Sequence, residues 1–190
     1  MKFKRANAVL GLLSILFLLV HIGCNTFLYI TMSYIPAFKL TAVPVMVLGC
    51  IHAVIGMCEV FLLGDGTRLD LYPGFNKETI IQRVSAALIF PLLIMHLKTF
   101  ELLKATSENR IWLPFILIVI CQILFYGAVM AHVSVSFSKA LITLGILTTE
   151  KQQKTLDRIA CIICVLVFVV AVFAVVKGEI VMFVMTGGEG

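Results

Sequence analysis

Charge is what this chain has least of: 13% of its 190 residues are Asp, Glu, Lys or Arg, against 61% apolar, and mean hydropathy is +1.10. Soluble globular domains are about half apolar, so that class is excluded. Proline is also scarce, at five residues, and essentially only Pro91 falls mid-stretch in an apolar run. That argues against helices broken at mid-membrane, as in many transporters. The alternation of apolar and polar residues that marks barrel strands is missing. There is no sequence repeat and no low-complexity tract. The linkers leave no room for a folded soluble domain.

What remains is five long apolar stretches, at about residues 7–31, 43–64, 83–104, 112–140 and 157–177. Roughly 20 apolar residues cross a hydrocarbon core of about 30 Å. Lipid offers the backbone no hydrogen bonds, so these stretches must be helices. The expectation is an all-α fold, one integral membrane bundle of five transmembrane helices over residues 1–190. Asn76-Lys77-Glu78 precedes the third stretch and Lys104 to Arg110 follows it, while the charged run Glu150 to Arg158 precedes the fifth. The start, Met1-Lys2-Phe3-Lys4-Arg5 and then an apolar run, has the charge pattern of a signal peptide. Its run is about 25 residues, longer than a signal core of 7–15, and no small-residue cleavage site closes it. It reads as a retained first helix.

Lys and Arg are retained on the cytoplasmic side of membranes. With the N-terminus inside, that side carries Lys2, Lys4, Arg5, Arg68, Lys77, Arg83, Lys139, Lys151, Lys154 and Arg158, and the other side Lys39, Lys98, Lys104, Arg110 and Lys177. The N-terminus is therefore expected in the cytoplasm and the tail Gly178 to Gly190 outside. The net charge of +5 fits topology and anionic lipid headgroups, and no basic domain is available to hold nucleic acid. A basic cytoplasmic face also suits a docked peripheral subunit. The six cysteines, Cys24, Cys50, Cys58, Cys121, Cys161 and Cys164, all lie in apolar stretches, where disulfides are not expected. Cys161-x-x-Cys164 has redox or zinc spacing but no His nearby in sequence.

Four histidines, His21, His52, His96 and His132, fall one in each of the first four stretches and none in a linker. Ionisable side chains at membrane depth usually face the bundle interior and mark function. A lone imidazole is as readily explained by a hydrogen bond to a neighbouring helix. One on each of four helices favours ligation instead, and is what two haems, each clamped between two helices, would need. With no Cys-x-x-Cys-His, such haem is non-covalent, of b type. Gly49, Ala53 and Gly56 flank His52, and Ala128 and Ser136 flank His132, leaving room for a flat ring. His21 and His96 have bulkier neighbours, Phe17 and Asn25, Leu92 and Phe100. By distance from the cytoplasmic helix ends, His21 and His96 share a level and suit one iron. The same estimate permits a His52 and His132 pair without requiring it.

Several of these residues stand in longer patterns. Gln82-Arg83-Val84-Ser85 opens the apolar run to His96, and His132-Val133-Ser134-Val135-Ser136-Phe137 runs on to Leu144-Gly145-Ile146-Leu147-Thr148. Together with Leu19-Val20-His21 and Asn25, and His52-Ala53 with Gly56, they resemble the cytochrome b membrane anchor of succinate dehydrogenase and fumarate reductase. The likeness is to the single-subunit, five-helix, two-haem form of Gram-positive and some other bacteria, over about 150 residues. It implies two haem b groups, the outer on His21 and His96 and the inner on His52 and His132. It also implies a flavoprotein and an iron-sulfur subunit as partners, and a membrane quinone, menaquinone, as electron donor or acceptor in a bacterial cytoplasmic membrane. The chain departs from the family at Ser136, where Gly is usual, and in a shorter stretch before the first helix with no extra histidine.

Around the histidines, Arg83, Lys98 and Lys139 are candidates for haem propionates, with snorkelling to headgroups as the alternative. Ser85 is a candidate for ordering the cytoplasmic end of its helix bundle. Asn25 and Gln122 are candidates for a quinone site. Glu59, seven residues after His52 and on its face, is a candidate for a proton, quinone or haem-edge contact, or simply reaches the interface. Two other classes keep histidines on membrane helices: a di-haem cytochrome b of another respiratory complex, and a transporter with histidine proton relays.

Overall fold

The computed structural model describes residues 2–62 and 73–186, with side chains over 2–62 and 77–185. Five long helices follow one another: α1 (Lys2–Thr31), α2 (Ala42–Phe61), α3 (Pro73–Glu108), α4 (Trp112–Thr143) and α5 (Glu150–Thr186), with a short 3-10 turn at Pro36–Thr41 before α2. All five are long and apolar enough to cross a membrane. The chain is an all-α membrane protein, and among the described residues it has no strand.

The helices outrun the apolar stretches. α3 begins at Pro73, so Asn76-Lys77-Glu78 is helical, and α5 begins at Glu150, so the charged run up to Arg158 forms its first turns. The expected tail from Gly178 is corrected too: α5 continues through Gly178 and Glu179 to Thr186. Hydropathy marks where lipid ends, whereas a helix continues into water while i,i+3 and i,i+4 pairs support it. Lys98–Glu101, Lys104–Glu108 and Glu150–Lys154 are such pairs. Residues 63 and 64 of the second apolar stretch, and Arg68, lie outside the described residues. α4 ends cleanly, because Gly145, at φ +79°, returns N–H bonds from Gly145 to Ile142 O and from Ile146 to Leu141 O, a glycine-based stop common at helix ends.

α4 is the central helix. Phe115, Ile118, Gln122, Phe125 and Ala128 recur at helical spacing on its buried face, and Met130 and Ser138 are buried as well. α1, α3 and α5 surround it. α5 turns small residues inward, Ala160, Cys164, Ala171 and Ala174, letting backbones approach as membrane helix packing requires. The end near Trp112 is densely filled, with Phe183 against Phe115 at 4.4 Å and against Trp112 at 4.5 Å between ring centroids. α2 is different: among the described residues it packs on α1 and the 3-10 turn, and makes no close backbone approach to α3, α4 or α5. A gap separates it from α4, and the candidate site lies in that gap.

Candidate functional site

The gap is a cavity of about 710 Å³ walled by all of α1 to α4. Its ceiling is Leu18, Leu93 and Phe125; its sides include Gly11, Gly49, Ala53, Gly56, Ala86 and Ser136; its cytoplasm-directed end, by the orientation expected from charge, carries Lys4, Asn7, Glu59, Gln82, Arg83 and Lys139. Small residues from all four helices thus line the space left between α2 and α4.

His52 from α2 and His132 from α4 project into this cavity from opposite sides. Their ring centroids are 6.4 Å apart and their planes 70° to one another. Each Nδ1 lies 3.1 Å from a backbone carbonyl of another helix, Asn7 O for His52 and Gln82 O for His132. A carbonyl only accepts, so each Nδ1 carries the proton and each Nε2 keeps its lone pair. That is the tautomer of a metal-binding imidazole oriented by its second nitrogen. Two imidazole nitrogens bonded to one metal along an axis, at about 2.0–2.1 Å each, hold ring centroids about 6.4 Å apart.

His21 and His96 are electrostatic neighbours. His21 Nδ1 lies 3.0 Å from Thr41 Oγ1 and 3.2 Å from the Asn25 amide nitrogen. Thr99 gives its proton to Met95 O at 3.0 Å and accepts from Gln122 Nε2, which leaves Gln122 Oε1 to accept from His96 Nδ1–H at 2.8 Å. The two inner histidines and His96 therefore share one tautomer. This second pair sits one turn beyond the cavity ceiling, with His96 stacked on Phe125 at 4.7 Å and edge-on to Tyr126 at 6.0 Å.

The supporting residues sort by contact. Asn25, a quinone candidate from sequence, donates its amide to His21 O at 2.7 Å and stands 3.2 Å from the His21 ring. Gln122, the other, is buried against His96 and Thr99. Lys139 lines the cavity beside Thr79, Gln82 and Glu78, and Arg83 lines it too. Lys98 does neither, being exposed and paired with Glu101 at 2.6 Å. Ser85, buried, gives its proton to Ile81 O at 2.6 Å and stands 3.4 Å from His132 Nδ1. Glu59 faces the cavity, accepting from Asn7 Nδ2 at 3.3 Å with its other oxygen buried and unpartnered. Asn7 and Gly11 carry no signal of their own in the sequence. Glu179, expected in an external tail, is fully buried and interacts electrostatically with Tyr29 and Tyr126; Lys177 and Gly178 before it disguise the helix.

Among the described residues no three His, Cys, Asp or Glu side chains converge as metal ligands. A bare ion lacks donors here, whereas a metal carried in a planar macrocycle needs only two axial ones from protein. The paired imidazoles, whose Nε2 atoms make no hydrogen bond among the described residues, and the cavity they both line fit that second case at His52 and His132. Comparison with family models, with curated proteins and with solved structures finds no match for this chain.

Proposed function

We propose that the chain is a di-haem cytochrome b of a bacterial cytoplasmic membrane with its N-terminus inside, the anchor subunit of a succinate:quinone oxidoreductase. The observation that carries this reading is the His52 and His132 pair, 6.4 Å apart across a cavity of about 710 Å³, with neither Nε2 hydrogen-bonded among the described residues. The order of four histidines on four helices, and the resemblance built on it, support the second haem at His21 and His96 and the partner subunits. Haem bound between two imidazoles supplies one-electron transfer without an open coordination position.

The chain's own residues then hold and tune. Asn7 O and Gln82 O fix the inner imidazoles, and Thr41 and Gln122 fix the outer ones. Lys139 and Arg83, at the polar end of the cavity, suit the carboxylates of a b-type haem, and Lys98, fifteen residues further along α3 and paired with Glu101, does not line it. Electrons would pass between an iron-sulfur subunit on the basic cytoplasmic face and menaquinone. A reduced-minus-oxidised spectrum with pyridine haemochrome quantitation on the purified chain tests this: two b haems per polypeptide are expected, and none in a folded, inserted chain overturns it. Co-purification of a flavoprotein separates this complex from other di-haem cytochromes.

A further inference from the structure

The inner histidines are seated alike, and the two seats stand in the same register. His52 Nδ1 donates to Asn7 O on α1, and His132 Nδ1 donates to Gln82 O on α3, both at 3.1 Å. Four residues after each carbonyl comes a small residue lining the cavity, Gly11 on α1 and Ala86 on α3. Fourteen residues after each carbonyl comes a histidine of the outer pair, His21 on α1 and His96 on α3. At 1.5 Å per residue both intervals span about 21 Å. The relation is invisible as a sequence repeat, since only the carbonyls, the small residues and the histidines match.

From this register we infer that the four-helix core is two equivalent hairpins, α1–α2 and α3–α4, and that Asn7 O with Gly11 is the positioning seat of His52. In each hairpin the first helix carries the outer histidine and, fourteen residues earlier, the carbonyl that orients the inner histidine of the second helix. Depth of one site relative to the other is thereby set within single helices. Gly11 is the sharpest point of the device: a Cβ there would lie 3.0 Å from His52 Cε1 and 3.3 Å from Nδ1. A methyl there makes the imidazole give by a few tenths of an ångström, and a β-branched side chain displaces it further. Asn7 is itself held by its amide bond to Glu59 at 3.3 Å, which ties the foot of α1 to α2 beside the seat. Gly23, on the same helix, has nothing within 4 Å of the place a Cβ would take and serves as the control.

This inference rests on the haem reading for its consequence but not for its geometry, so two readouts separate them. In the full chain in lipid nanodiscs, without haem, imidazole 15N NMR of selectively labelled histidine reads the tautomer. His52 is expected as the Nδ1–H form in the wild type, and Gly11→Val moves the His52 resonances while leaving His132 in place. With haem supplied, Gly11→Val is expected to retain one haem of the wild-type two, and Gly23→Ala both. If Gly11→Val does not accumulate, Gly11→Ala is read in the same way, with a shift confined to the His52 resonances. Unchanged His52 resonances in these variants overturn the seat. A shifted His52 in the variant, from a wild-type chain that binds no haem, upholds the seat and overturns the cytochrome reading instead.

Discussion

His52 and His132 face each other at 6.4 Å, centroid to centroid, from two helices that otherwise make no close approach. Nothing in the chain's own packing requires that arrangement, since neither imidazole bonds to the other and each is satisfied on its Nδ1 side by a third helix. Helices in lipid associate through packing and interhelical hydrogen bonds, and α2 forgoes both toward α4. The proposed haem, spanning the gap, would supply the missing contact.

Removal of one histidine from a pair is expected to remove one haem and leave the other. His52→Ala and His132→Ala should each lower the pyridine haemochrome count from two to one, and the same holds for His21→Ala and His96→Ala at the outer pair. Absorption spectra of potentiometric titrations should then show that His52→Ala and His132→Ala lose the same component. Loss of different components from these two variants would refute the pairing.

The 70° angle between the inner imidazole planes has a spectroscopic consequence. Axial imidazoles set nearly perpendicular leave a low-spin ferric centre with strongly anisotropic g values, whereas parallel planes give a compact rhombic signal. Electron paramagnetic resonance of the oxidised protein should show a strongly anisotropic signal that disappears in His132→Ala. A rhombic signal from that site would mean the rings reorient on binding.

Thr99 and Gln122 are buried and their hydrogen-bond chain to His96 is complete, so cutting it leaves polar atoms stranded. Gln122→Leu strips the acceptor from His96 Nδ1–H and the donor from Thr99, and an unsatisfied buried group costs about 1–3 kcal/mol. Thermal unfolding in detergent should fall accordingly, and the outer haem should titrate at an altered potential while the inner one does not. Equal shifts at both would place Gln122 outside the outer site.

Five helices and one histidine on each of four were legible because hydropathy and residue identity carry them directly. The register of His21 with His96 was legible from distance to the helix ends. What lay hidden was contact made by backbone: Asn7 O and Gln82 O have no side-chain signature, so the seats of His52 and His132 appear only once α1 and α3 are placed. Asn25 and Gln122 stood out in sequence only as quinone candidates, because their hydrogen-bond partners, a backbone carbonyl in one case and a residue 23 positions away in the other, leave no mark there. The ends of α3 and α5 were missed because charged turns lower hydropathy without breaking a helix.

Glu179 supplies the last test. The side chain is fully buried on α5, and among the described residues neither carboxyl oxygen has a hydrogen-bond partner. It stays there because its neighbour fixes the helix: a Cβ on Gly178 would run into the Tyr29 ring, and Lys177 Nζ donates to Ile30 O at 2.7 Å, so α5 is locked to the end of α1 in one rotation. A polar group buried without compensation costs about 1–3 kcal/mol by mutational measure. Glu179→Met, of similar length and apolar, should therefore raise stability by about that amount, read as a higher melting temperature of the detergent-solubilised chain. Gly178→Ala should lower it, by about 1–3 kcal/mol for an overpacked contact, because the ring must move. A Glu179→Met chain less stable than wild type would show that the carboxyl makes a favourable contact beyond the hydrogen bonds of the described residues.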